Sequence, residues 1–232
     1  MLGKFFKKKT DPDEYPDEPV FARQLAAEQH GLGWETTARF ARMREEVYQK
    51  RFGKAVNEFH EFLPLVPTVK VMEFHRTVGE AEVITLVTSG MSDLPMAVPP
   101  EVNSPHRVEL IFYCAESKQG YVDTMQWLAH FPHDHKSWIG AFHTIPNGNP
   151  PIALWGSSIL DTIFLLPPVV AKDAKLQEDL ILDGDGVQFL WIVPLTTPES
   201  TLKQRKGGNA ILQLFQRNRH PYIFDPKRNS YV

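Results

Sequence analysis

The sequence predicts one α/β (α+β) domain, and three observations carry that prediction. Apolar residues recur at helical spacing early in the chain, β-branched and apolar runs follow from about residue 69, and the 19 prolines lie between these runs rather than in one linker. A length of 232 residues suits one large domain. With 42% hydrophobic and 23% charged residues the chain has ordinary globular composition, which excludes a fibrous or low-complexity protein. The expected division is a flexible or irregular amino-terminal arm over residues 1–33 and a single domain over residues 34–232.

The arm places Lys4, Lys7, Lys8 and Lys9 around Phe5 and Phe6 and then turns acidic at Asp11, Asp13, Glu14, Asp17 and Glu18. No apolar stretch of signal-peptide length follows, and nowhere is there an uncharged apolar run near the ~18 residues that a membrane span requires. The lone cysteine, Cys114, cannot form an internal disulfide, as suits a reducing compartment. A cytoplasmic protein is expected. A net charge of −3 advertises neither nucleic acid nor a membrane surface, and is too small to select a protein partner by itself.

The first helical pattern runs from Trp34 to about Phe62, as one helix or two. Phe40, Met43 and Val47 form one stripe and Tyr48, Phe52, Val56 and Phe59 a second, while Arg39, Arg42, Arg44, Lys50, Arg51 and Lys54 read as a solvated basic side. Pro64 and Pro67 end the pattern, because proline lacks the backbone donor that a helix interior needs. Val69, Val71 and Val83 to Val87 read as strands buried on both faces. Arg107 to Tyr113 alternates, with Val108, Leu110 and Phe112 inward and Arg107 and Glu109 outward, as in a half-buried strand.

A short helix is expected over Val122 to Phe131, stopped by Pro132, with strands near Ile152 to Leu154, Thr162 to Leu166 and Val187 to Val193. Asp183-Gly184-Asp185-Gly186 suits a hairpin loop. Thr196, Pro198 and Glu199 have the form of a capping box opening a helix. Gly207 and Gly208 would stop that helix and Asn209 would cap the next, which carries Ile211, Leu212, Leu214 and Phe215.

Chemical motifs are sparse. His130, His133, His135 and His143 crowd together and raise the alternative of a metal-binding protein or hydrolase, yet there is no HExxH helix and no cysteine pair, so no metal site is assigned. A calcium loop aligned on Gly186 would put Ile181 and Ile192 at ligand positions. GxSxG, GxGxxG and GxxxxGK[ST] are absent, so no catalytic residue and no cofactor is assigned. Two loops stand out instead. Thr88 to Met96 follows a buried strand with small polar residues and methionines read as exposed, a plausible adaptable contact surface. His143-Thr144-Ile145-Pro146-Asn147-Gly148 reads as a tight turn.

Both loops carry a resemblance. Leu86-Val87-Thr88-Ser89-Gly90-Met91-Ser92-Asp93, then Val108-Glu109-Leu110, then Trp138-Ile139-Gly140-Ala141-Phe142-His143-Thr144-Ile145-Pro146-Asn147-Gly148, and finally Val193-Pro194-Leu195-Thr196 with Glu199, resemble the suppressor of fused domain family in order and spacing over about residues 62–232. The resemblance implies a mixed, largely antiparallel sheet flanked by helices. It also implies a binding protein rather than an enzyme. Animal members sequester zinc-finger transcription factors, gripping a peptide between this domain and a carboxy-terminal one with β-strand addition. This chain stops at Val232, so no second domain is expected. Short single-domain relatives are typical of bacteria, where an immunity role against polymorphic toxins has been proposed for the family. That role is the expected function here, with a toxin domain as partner. The expected contact residues are Ser89, Met91, Ser92, Asp93 and Met96, while Gly90, His143, Asn147 and Gly148 are family-motif positions without an assigned role.

Overall fold

The computed structural model describes residue 28, residues 31–62 and residues 65–232. The expectation of an irregular arm falls almost entirely on residues outside the described ones. Helix α1, Trp34–Phe52, buries Phe40, Arg44, Tyr48 and Phe52, a single stripe at four-residue spacing. It ends earlier than the sequence pattern suggested. Gly53 takes a positive φ of 89° and its amide bonds back to Gln49, closing the helix well before Pro64. Of the apolar residues beyond it, Phe59 belongs to strand β1, Asn57–Phe59, which pairs with β2, Lys70–Val78, and Val56 lies just before that strand.

Strand β3, Ala81–Ser89, folds back on β2 through Gly79 and Glu80, and β4, Arg107–Cys114, joins β3 antiparallel. Helix α2, Gln119–Asp134, is longer than expected, because Pro132 falls in its final turn rather than stopping it. Residues 152–154 form no strand; that place in the sheet is taken by β5, Thr144–Pro146, paired with β6, Leu160–Leu166. A short helix α3, Leu176–Asp179, leads to β7, Ile181–Leu182, and β8, Asp185–Thr196. Asp183 and Gly184, with φ of 49° and 89°, make the two-residue hairpin turn between them. Helix α4, Thr197–Lys206, opens on the expected capping box, in which the Thr196 hydroxyl accepts from the Glu199 amide and the Glu199 carboxylate accepts from the Thr196 amide. Gly207 then closes α4 and opens α5, Gly208–Arg217, so Asn209 sits inside α5 and does not cap it.

The strands lie in the order β1-β2-β3-β4-β8-β6-β5, with β7 on β8. Every pairing is antiparallel except β4 with β8. This is the mixed, largely antiparallel sheet flanked by helices that the sequence led us to expect. One face packs against α1 and α5, where Tyr48, Phe52 and Phe215 meet Phe74, Ile111 and Phe189. The other packs against α2, where Tyr121, Met125 and Leu128 meet Leu86, Leu110 and Phe112. Among the described residues no helix is long and apolar enough to cross a membrane. Cys114 lies buried in β4, and burial, with Glu73 nearby, pushes its thiol up to about 12, so it is held as an inert thiol.

Candidate functional site

The loop after β3 was expected to present contact residues. It is instead an interior turn. Met91–Asp93 form one turn of 3₁₀ helix, and Ser89, Met91, Ser92, Asp93 and Met96 are all less than 5% exposed. The exposure assumed for the two methionines therefore does not hold. Glu109, also fully buried, closes the amino-terminal end of the turn: one carboxylate oxygen accepts from the Gly90 amide at 3.1 Å, the Ser92 amide at 3.0 Å and the Ser92 hydroxyl at 2.5 Å. Its other oxygen accepts from the Thr88 hydroxyl, which itself accepts from the Leu110 amide and so replaces a ladder bond where the strands part. Arg107, two residues earlier on β4, donates to the Ser92 and Asp93 carbonyls at 2.7 and 2.9 Å. An anion at the donor end and a cation at the carbonyl end is the arrangement the turn's dipole favours.

Arg44 completes this cluster from α1. Its guanidinium donates to the Ser89 hydroxyl, pairs with Asp93 and lies 3.9 Å from Glu109. Burial pushes the Asp93 carboxyl up to about 6 against the opposing pull of Arg44, while burial works against the Arg44 charge and the two carboxylates more than restore it. Two corrections to the sequence reading follow. Arg44 is not on a solvated face, since it stands four residues from both Phe40 and Tyr48 in the buried stripe. Nor is β4 half-buried, because Arg107 and Glu109 point into this cluster. What Ser92 and Asp93 do here is hold α1, β3 and β4 together.

The second motif region lies at the surface. Phe142 adopts a positive φ of 69° and seats its ring where a Cβ on Gly208 would be, locking the loop to the start of α5. His143 packs on Trp138 with ring centroids 4.3 Å apart; burial lowers its pKa and the nearby Lys203 charge adds to the effect. Asn147 secures the following loop by exchanging bonds with Ile152, and Gly148 supplies a φ of 95°. Phe131, Trp138, His143, Ile145 and Lys203 line a groove of about 380 Å³ along β5. That strand ends the sheet, so its outer edge has no strand partner among the described residues.

The remaining histidines are not gathered there. His130 pairs with Glu61, His133 meets the Met91 carbonyl at 3.2 Å, and His135 packs on Phe131. Among the described residues no group of three His, Cys, Asp or Glu is placed to hold a metal ion.

Just past the end of β8 the capping glutamate has a second task. Glu199 accepts from both terminal nitrogens of Arg228 and from the Tyr231 amide, tying the last residues to α4. Burial alone would raise its carboxyl, but Arg228 and the two amides pull it below the usual range. His220 is stacked on Phe215 at 3.9 Å and bonded to the Tyr231 hydroxyl at 3.0 Å, and burial, aided by Arg228, lowers its pKa from 6.5 to about 4. An unfolded chain therefore binds a proton here between about pH 6.5 and 4 that the folded chain refuses. His220 should lower stability as pH falls through that window, by on the order of 2–3 kcal/mol. Asp93 acts in the opposite sense over an overlapping window, since its folded-state value is raised. The difference between wild type and His220→Phe in urea unfolding at about pH 7.5 and about pH 4.5, one above the ordinary histidine value and the other well below it, isolates the histidine. A difference that does not change with pH would remove the assignment.

Comparison with known proteins bears on this geometry. The family model described as Suppressor of fused protein (SUFU) matches residues 67–229, well over half of the chain. The chain belongs to the suppressor of fused family. A suppressor of fused homologue from Neisseria gonorrhoeae FA 1090 superposes with a TM-score of 0.64 at 16% identity, covering 84% of this chain and 98% of that one. A Sufu–Fu complex gives 0.59 at 13% identity, covering 84% and 91%. Drosophila Suppressor of Fused gives 0.58 at 12% identity, covering 82% of this chain and half of that one. No curated protein matches the chain. At these identities the likeness is one of fold, and the suppressor of fused motif residues divide into two groups on it. Those from Thr88 to Asp93 are interior, whereas His143, Ile145 and Pro146 border an accessible groove.

Proposed function

We propose that this chain is a non-enzymatic, cytoplasmic protein-binding module over residues 34–232 that sequesters or neutralises a protein partner, and that the partner is a toxin domain. The observation that carries the binding reading is the groove along β5: half-buried aromatic and aliphatic side chains beside an open sheet edge. An extended segment can add to such an edge while its side chains enter the adjacent groove. Pro146 shortens the edge that is free to pair, which restrains indiscriminate strand addition. Family membership supports a binding protein, and one solved relative is a complex of Sufu with Fu. The toxin assignment comes from the family resemblance and not from the geometry of the groove. The Thr88 to Met96 turn enters this reading as the support that fixes the fold, with no direct contact assigned to it.

The test compares tagged full-length wild type with Trp138→Ala after both are shown to be folded. A protein retained by wild type should bind the variant at least about tenfold more weakly, the loss expected for an aromatic anchor at an interface. Equal retention would remove the groove from the proposal. Co-expression then tests the toxin role: the recovered partner alone should arrest growth and this chain should restore it. A harmless partner would overturn that role while leaving the binding reading intact.

A further inference from the structure

A second groove lies between the end of β6 and α5, lined by Leu166, Val169, Leu212, Phe215, Arg219 and Tyr222 among others, with a volume of about 350 Å³. It shares no residue with the groove along β5. Val169 is 55% exposed and Leu212 38%, so its floor and walls present apolar surface to solvent. No carboxylate lines it.

One full charge lines it, the Arg219 guanidinium. Arg217 and Arg219, and Lys172 three residues beyond Val169, are exposed and have no ion-pair partner among the described residues. Arg219 also stands at an unusual backbone position. The α5 carboxy terminus closes by a bond from the His220 amide to the Phe215 carbonyl and from the Arg219 amide to Gln216, which places Arg219 at φ 50°, a left-handed site where glycine is the unstrained choice. A long cation held there, on the wall of an apolar groove, is a local strain that the fold alone does not call for.

We propose that this groove docks an acidic segment of a partner protein, with apolar side chains of that segment against Val169, Leu212 and Tyr222 and its carboxylates against Arg219, Arg217 and Lys172. Charge complementarity selects the occupant: a basic segment would meet Arg219 with no carboxylate in the lining to offset it. The reading does not depend on what occupies the β5 groove.

The test uses the full chain and two fluorescein-labelled synthetic peptides with identical leucine and phenylalanine positions, one carrying glutamates between them and the other lysines. Anisotropy titration should show the acidic peptide binding at least about tenfold tighter, with the advantage shrinking as salt rises from about 50 to about 300 mM. Arg219→Gly removes the charge and leaves a residue suited to the left-handed site, so it should weaken the acidic peptide by about tenfold without loss of fold. Leu212→Asp should weaken it too. Equal affinity for the two peptides, or unchanged binding by Arg219→Gly, overturns the proposal. So does a sedimenting dimer that Leu212→Asp dissolves, which would assign the groove to a second copy. Tighter peptide binding after neutralising Asp13, Glu14, Asp17 and Glu18 would assign it to the chain's own acidic stretch, and likewise overturns the partner.

Discussion

Replacing Glu109 by alanine should lower the unfolding free energy by at least about 4 kcal/mol, much of what a domain of this kind possesses. The carboxylate satisfies the Gly90 and Ser92 amides and the Ser92 and Thr88 hydroxyls, all buried, and helps balance Arg44. Each donor left without a partner in the interior is worth about 1–3 kcal/mol, though losses within one cluster do not add. Glu109→Gln keeps the shape and one acceptor oxygen, so it should be milder, near about 2 kcal/mol. Urea unfolding followed by tryptophan fluorescence measures both. An alanine variant within about 1 kcal/mol of wild type would mean that the cluster is dispensable.

Gly90→Ala should be nearly as damaging, at least about 3 kcal/mol, for a different reason. Gly90 sits at φ 129°, and a Cβ there would penetrate the Thr68 carbonyl oxygen, a backbone atom that cannot swing aside. The chain must then move either the start of β2 or the turn that Glu109 clamps. Combined with Glu109→Ala the effects should fall short of their sum, because both substitutions release the same turn. Strict additivity in that double variant, or a Gly90→Ala protein as stable as wild type, would contradict the close approach described here.

Local chemistry made much of the fold legible. The hairpin at Asp183-Gly184-Asp185-Gly186 and the Thr196 to Glu199 box are read from a few adjacent residues; the box forms as expected, and the hairpin turns on Asp183 and Gly184 with Asp185 and Gly186 already in β8. Burial of charge was harder to see. Arg44 reads as one of a run of basic residues, although counting fours from Phe40 to Tyr48 runs through it. Alternation along β4 tells which residues share a face but not whether that face is wet, and Glu109 and Arg107 fill theirs with each other's turn contacts. Strand β5 leaves little trace in the sequence, because three residues ending in proline carry no pattern, whereas Ile152 to Leu154 look more strand-like and lie in a loop. The resemblance located the right motifs, yet could not say which were interior. A serine and an aspartate beside methionines suit a contact surface as well as a clamped turn, and only the partners on α1 and β4 distinguish the two.

The lone parallel pairing also has a meaning for how the molecule is made. Strands β1 to β4 are neighbours in sequence and can zip together as they emerge, and β5 to β8 likewise. The seam between these two contiguous halves is β4 on β8, fastened near its end by Asp173, which reaches Arg76 and Tyr113 across it. Roughly seventy residues separate the end of β4 from the start of β8, a span that takes seconds to synthesise. Throughout that interval β4, whose eight residues are all buried in the finished protein, offers an unpaired apolar edge to its surroundings. The hazard of misassembly is thus concentrated at the one vacant place between β4 and β6, and it ends when β8 arrives.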